Sequence, residues 1–205
     1  MKIIGNCMEY NLNEVVWFQK TDTEYGGLSN MKGKIFPMNV NGHLFHTSEA
    51  LYQACRFPDY PEIQREIMGH PSPMTAKMKS KKYRNTHTRN DFEEVKEDIM
   101  WWCLRVKMAH HPVAMGALLR RSGSKPIVEV SHKDRFWGTV RSKENENLVV
   151  GDNVLGKLLI RLRAYYFQNQ GSSKLLRVPP LEISNFKLLG QPIEEVDCFR
   201  GLRRE

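Results

Sequence analysis

Thr47–Phe57, TSEALYQACRF, reads as a short capped helix that carries one acid among apolar and small residues. Thr47 or Ser48 can cap it by accepting a hydrogen bond from a free backbone N–H. Glu49 then falls in the first turn, Gln53 at i+4 and Arg56 at i+7, so the three share one face. An acid, an amide and a guanidinium on one face suit a polar anionic ligand and leave a carboxylate for catalysis. A plain helix fits the pattern too. The helix dipole favours an acid near the N-terminus, and Arg56 can be a solvated or ion-paired residue. The segment alone leaves both readings open.

The flanking sequence places this helix in an α+β chain. Val15–Phe18 reads as a first strand, and Asp22–Asn30 as a loop whose Gly26-Gly27 pair permits positive φ. Ile35–Val40 and Leu44–His46 are extended runs joined by the hairpin signal Asn41-Gly42. The 47–57 helix stops before Pro58, and Pro61–Met68 forms a second. Ser72-Pro73 opens a third, running through MTAKMK. Asn90 or Asp91 caps a long helix with the apolar stripe Val95, Ile99, Trp102, Val106 and Ala109, and Pro112 ends it. A helix over 113–120 closed by Gly123, a strand over 127–130, a loop from Phe136 to Gly151 and a last helix over 154–167 follow. After Gln168, glycine, serine and two adjacent prolines predict a non-helical tail. Its Leu175, Leu181, Ile183, Phe186 and Leu188 predict that it packs on the domain. The expected organisation is therefore one domain over 1–167, predominantly helical with a few short strands, and a tail over 168–205.

Hydrophobic residues make up 40% of the 205 and charged ones 26%, the balance of a globular chain with a real core. No apolar run approaches the roughly 20 residues that span a bilayer. The N-terminus shows no signal-peptide pattern, so the cytoplasm is the expected compartment and no membrane partner is expected. Cys7, Cys55, Cys103 and Cys198 are far apart, lack CxxC spacing and read as reduced thiols, with Cys55 and Cys103 on apolar helix faces. A net charge of +8 and a pI of about 9.4 favour a polyanionic partner.

Five polar clusters sit in loops or at helix starts. Gly27-Leu28-Ser29-Asn30 could offer backbone N–H groups to an anion, or be an ordinary turn. Glu49, Gln53 and Arg56 form the second. The third is SPMTAKMKSKKYR, residues 72–84, the most basic stretch. It suits phosphate contact or a solvated basic face. Within it Lys77, between Met74 and Met78, is expected to be partly buried, which would lower its pKa and fit it to act as a nucleophile. Asp134, Phe136, Trp137 and Gly138 offer a ring for stacking and a glycine for close approach, or an aromatic plug on the core. Asn153 caps the last helix, where Gly156 would leave N–H groups open to phosphate; a plain cap with a packing glycine fits equally. There is no GxxxxGK[ST] and no GxGxxG. The histidines show no metal-ligand spacing, so neither a metal nor a cofactor is expected. No zinc finger, homeodomain or RNA-recognition motif occurs.

Taken in order, these pieces resemble the NADAR family, to which YbiA-type proteins belong. The matching segments are GLSN at 27–30, TSEALYQACRF at 47–57, SPMTAKM at 72–78, LRVK at 104–107, PIVE at 126–129, DRFWG at 134–138 and NVLGKLLIRLR at 153–163. Many members carry His after the motif glutamate and Lys in place of Arg56. This chain has Ala50 and Arg56 there, which argues against a YbiA-like action on riboflavin-pathway intermediates. Its wording is closer to the subgroup paired with DarT-type toxins, which attach ADP-ribose to guanine in DNA; similar proteins occur in phages as counter-defence.

The resemblance implies an ADP-ribosyl glycohydrolase that frees guanine in DNA and releases ADP-ribose, with a DarT-type toxin as a possible partner. Glu49 would stabilise oxocarbenium-like charge, and Asp134 is the second candidate acid. Lys77 would be a phosphate ligand or a nucleophile forming a Schiff base. Leu28, Ser29, Asn30, Gln53, Arg56, Lys79, Trp137, Gly138, Asn153 and Gly156 would line the ligand, with Trp137 as the stacking ring. The competing readings are an N-glycosidase of riboflavin-pathway intermediates or free nucleotides, a non-catalytic ADP-ribose-binding or toxin-neutralising module, and a plain DNA-binding protein.

Overall fold

The computed structural model describes residues 2–4, 7–33 and 35–199. The side chain of Cys7 and residues 200–205 of the tail lie outside what is described. In chain order the elements are β1 (Lys2–Ile4), β2 (Cys7–Asn11), β3 (Val16–Phe18), β4 (Met38–Val40), β5 (His43–Phe45), α1 (Ser48–Cys55), α2 (Pro61–Met68), α3 (Pro73–His87), α4 (Phe92–His110), α5 (Pro112–Arg121), β6 (Ile127–Glu129), β7 (Val140–Arg141), β8 (Leu148–Gly151), α6 (Val154–Gln168), β9 (Arg177–Val178), β10 (Lys187–Leu188), β11 (Gln191–Pro192) and β12 (Val196–Asp197). The fold is α+β, predominantly helical with short strands. No described helix is long and apolar enough to cross a membrane.

Contacts divide the chain into two compact units, one of 1–29 with 113–168, the other of 30–112 with 169–205. In the first, β1, β2, β8 and β7 form an antiparallel sheet, with Tyr10 opposite Val149. The parallel pair β3–β6 sets Val16 against Ile127. Tyr10, Leu12, Val128, Val130 and Val149 make a buried cluster. The sequence reading has no strand at β1, β2, β7 or β8, and places 136–151 in a loop. These runs are two to five residues long, too short to show an alternating pattern. Their backbone partners lie far along the chain.

Asn153 joins α6 to β6. It holds a positive φ of 52°, its Nδ2 donates to the Ile127 carbonyl at 2.8 Å, and its Oδ1 accepts from the Glu129 N–H at 3.1 Å. Gly156 permits this approach, because a Cβ there would lie 2.1 Å from the Ile127 carbonyl oxygen.

In the second unit, Asn41 (φ 50°) and Gly42 (φ 80°) turn the β4–β5 hairpin. Thr47 is the N-cap of α1, its hydroxyl accepting from the Ala50 N–H at 3.0 Å. All eight residues of α1 are buried. Helix α3 runs to His87 rather than stopping near Lys79. Its polar, basic sequence has no apolar stripe, and its buried positions are the small residues Ala76 and Ser80. Cys55 and Cys103 are buried free thiols, and Cys198 is a half-buried one.

The tail packs on this unit. Gln64, fully buried, donates to the carbonyls of Ala54 and Lys187 at 3.1 Å and accepts from the Leu189 N–H at 2.6 Å. The Trp102 indole donates to the Pro179 carbonyl at 3.0 Å and meets the Phe186 ring edge-on at 5.0 Å. Arg89 ties Asp91 to the Ser184 carbonyl. Each large apolar side chain buried this way contributes about 1.5–3 kcal/mol.

The α6–β6 contact is testable by adding one methyl group. Gly156→Ala should lower unfolding free energy by about 2–3 kcal/mol, because backbone stands where the methyl would go. A urea-unfolding midpoint equal to that of the wild type would contradict this packing.

Candidate functional site

The i, i+4 spacing on α1 places Gln53 over Glu49, and the Gln53 Nε2 donates to Glu49 Oε1 at 2.9 Å. Arg84 of α3 donates through Nη2 to Gln53 Oε1 at 3.3 Å and to Ser80 Oγ at 3.2 Å. Lys77 of α3 brings its Nζ to 3.9 Å from Glu49 Oε1. The Glu49 side chain is 8% exposed and that of Lys77 44%. Lys77 is thus a half-buried cation at the rim of a buried carboxylate, as its Met74–Met78 setting predicts. Asn30 closes the other side of the helix start. Its carbonyl accepts from the Glu49 N–H at 3.1 Å, and its Oδ1 accepts from Ser48 Oγ at 3.2 Å.

Arg56, at the C-cap of α1, lays its guanidinium 3.8 Å from the centre of the Phe92 ring. Burial holds its pKa below the usual arginine value, and the nearby Arg84 charge pushes the same way. Burial pushes the neighbouring Tyr52 phenol up, against the Arg56 charge. The Nε atoms of Arg56 and Arg84 are buried without a hydrogen-bond partner among the described residues. Two guanidiniums with buried, unmatched Nε donors near Glu49 and Gln53 have the chemistry to hold an anion.

Lys79 is used elsewhere. Its ammonium pairs with Glu66 at 2.8 Å, and Tyr83 donates to the other Glu66 oxygen at 2.8 Å, so it joins α3 to α2.

The remaining candidates lie in the first unit, apart from Asn30. Gly26–Leu28 form a 3-10 turn whose Gly26, Leu28 and Ser29 amides donate to Thr23, Tyr25 and Gly26 carbonyls. Two of the amides expected to face an anion, those of Leu28 and Ser29, are therefore engaged within the turn. Leu28 is fully buried, a core residue in position, and Ser29 is 4% exposed. Asp134 Oδ1 accepts from the N–H groups of Phe136 (3.1 Å) and Trp137 (2.9 Å), which shapes the DRFWG loop. Trp137 is half-buried and meets Phe136 edge-on at 5.1 Å. Gly138 is buried, and a Cβ there would lie 2.9 Å from the Glu129 carbonyl. The start of α6 is not open for phosphate at its first amides. The N–H groups of Asn153, Val154 and Leu155 donate to the carbonyls of Gly138, Phe136 and Trp137.

The sequence gives Tyr52 and Phe92 no site role, and Arg84 enters it only as the last residue of the basic 72–84 stretch. Arg84 lies i+7 from Lys77, but the early end assigned to α3 hid that relation. Lys107 of α4, within the LRVK segment, is fully buried, with Nζ 4.5 Å from the centre of the Phe36 ring. Its signal in the sequence was a lysine placed between Val106 and Ala109 of the apolar stripe. No group of histidines, cysteines and acids able to hold a metal occurs among the described residues.

This chain belongs to the NADAR family: residues 16–165 match the NADAR domain. The N-glycosidase YbiA of Escherichia coli K12 is 33% identical over 149 residues, 73% of this chain and 86% of that protein. The YbiA of Shigella boydii aligns to the same extent. The riboflavin biosynthesis protein PYRR of maize is 33% identical over 162 residues, 73% of this chain but 25% of that longer protein. The NMR structure of E. coli YbiA superposes with a TM-score of 0.62 at 32% identity, covering 75% of this chain and 85% of YbiA.

Lys107 makes stability depend on pH. Burial lowers its pKa from 10.5 to about 7, and the Lys32 charge adds to this. Between those values the unfolded chain binds the proton and the folded chain does not, so the lysine's contribution to stability rises with pH. Below the folded value both states carry the charge and the desolvation cost is complete. Lys107→Met should therefore be more stable than wild type near pH 7. The gap should narrow by on the order of 2–3 kcal/mol near pH 9.5, read from paired urea titrations. A gap that ignores pH would rule out this assignment.

Proposed function

We propose that the protein hydrolyses an N-glycosidic bond at Glu49, and that its substrate is ADP-ribosylated guanine in DNA. The observation that carries the reaction is the buried Glu49 carboxylate, oriented by the Gln53 amide and flanked by the Lys77 ammonium. As the bond between the ribose C1′ and the guanine nitrogen breaks, its electron pair leaves with the base, which takes up a proton. Positive charge develops on the sugar, and the carboxylate stabilises it. Water adds at C1′, its proton passing to Glu49 and then to solvent. Arg56 and Arg84 receive the pyrophosphate, where bidentate guanidinium contacts suit phosphate oxygens. Lys77 is a phosphate contact or a nucleophile at the same rim. Trp137 is assigned to base stacking, and Asp134, Asn30 and the remaining loop residues to ligand contact, on the family resemblance. The relatives named N-glycosidase support the reaction class. Ala50, Arg56 and the +8 charge support a DNA substrate over a metabolite. A DarT-type toxin as partner rests on the same resemblance.

The relatives named for riboflavin biosynthesis favour a second reading, an N-glycosidase of riboflavin-pathway intermediates. A further alternative is a binding module without catalysis.

Glu49→Gln should keep the fold and the melting temperature and lose at least about 100-fold in turnover of an ADP-ribosylguanine oligonucleotide, read by ADP-ribose release. Wild-type protein that leaves this substrate intact sinks the DNA reading, and a fully active variant removes Glu49 from catalysis. A DNA substrate also predicts a steep rise of KM between about 50 and 200 mM salt, which a riboflavin precursor would not show.

A further inference from the structure

Helix α3 turns a second face outward, opposite buried Ala76 and Ser80. Its helical order brings Met74, Met78, Lys81, Lys82 and Asn85 together on that face, with Lys77 at the edge. Met74 and Met78, one turn apart, are 58% and 66% exposed. Lys81 follows Lys77 and Lys82 follows Met78 at i+4, so cations and thioethers alternate along the helix. The helix contains no acid. Lys82 rests 5.0 Å from the centre of the Tyr83 ring. The edge residue Lys77 is the one that reaches Glu49 at 3.9 Å.

Exposed methionine on a basic helix calls for a partner that is both anionic and apolar. A nucleic-acid strand has both properties, since its phosphates alternate with base faces once the bases are unstacked. Methionine is among the side chains that wedge between base steps. An enzyme acting on one base of a strand must also hold the neighbouring nucleotides away from the stack.

We infer that the outer face of α3 is a strand-binding surface, on which Lys81 and Lys82 hold the phosphates and Met74 and Met78 hold the unstacked bases beside the target nucleotide. As a deepening of the proposed DNA reaction, it rests on that reading for its link to Glu49. The surface itself is defined by chemistry that an unmodified strand can test.

The experiment measures binding of a fluorescein-labelled, unmodified single-stranded 12-nucleotide oligonucleotide across a salt series. Wild type is compared with Met74→Ala/Met78→Ala and with Lys81→Gln/Lys82→Gln, all substitutions at exposed positions. The methionine pair should weaken binding at least fivefold with an unchanged salt slope. The lysine pair should reduce the slope of log K against log salt by about 1.4, at about 0.7 per phosphate contact. Wild-type affinity and slope in both variants would overturn the inference. So would binding to vesicles of phosphatidylcholine and phosphatidylserine that the methionine substitutions abolish while oligonucleotide binding stays intact. Turnover of ADP-ribosylguanine is followed separately. Variant-sensitive oligonucleotide binding without any turnover would remove the proposed reaction and leave the strand surface standing.

Discussion

An acid buried in a helix that has no exposed face is the constraint around which the second unit is arranged. Every residue of α1 is buried, so Glu49 and Gln53 have little water to bond with. A buried polar group without a partner destabilises the fold by about 1–3 kcal/mol, and a charge by more. The i, i+4 amide–carboxylate bond and the Arg84 contact to the amide meet that requirement, and Asn30 bonds the Glu49 N–H and the Ser48 hydroxyl at the helix start. Each partner comes from a different segment. The position of α3 and of the residues before β4 is thereby linked to α1.

The same accounting separates the motif residues that hold structure from those left for a ligand. In the first unit, Asn153, Asp134 and the amides at the start of α6 bond to one another's loops and to β6. Gly156 is a packing glycine. In the second unit the balance is reversed. Arg56 and Arg84 keep buried donors that no described residue meets. Buried donors of that kind in a native fold mark a place where a ligand or water completes the bonding.

Much of the fold was legible in local signals. Asn41-Gly42, Thr47, Pro73, Pro112 and Gly123 mark turns and helix ends because each acts through its own backbone chemistry. The strands of the four-stranded sheet were not legible, since a run of two to five residues pairs with whatever backbone is near. The end of α3 was missed for a related reason. A helix buried through alanine and serine shows no apolar stripe, and with its last two turns went the i+7 relation of Arg84 to Lys77.

The site divides in the same way. Residue order alone put Glu49, Gln53 and Arg56 on one face, because a helix repeats every 3.6 residues whatever surrounds it. It also carried enough ordered motifs to point to the NADAR family. Tertiary packing decided what those residues meet: that Lys77 reaches the carboxylate from the rim, that Lys79 serves Glu66, and that Arg84 joins Arg56. It also decided that Lys107 is buried from water. Burial and charge proximity depend on segments dozens of residues apart, and no local pattern encodes that distance.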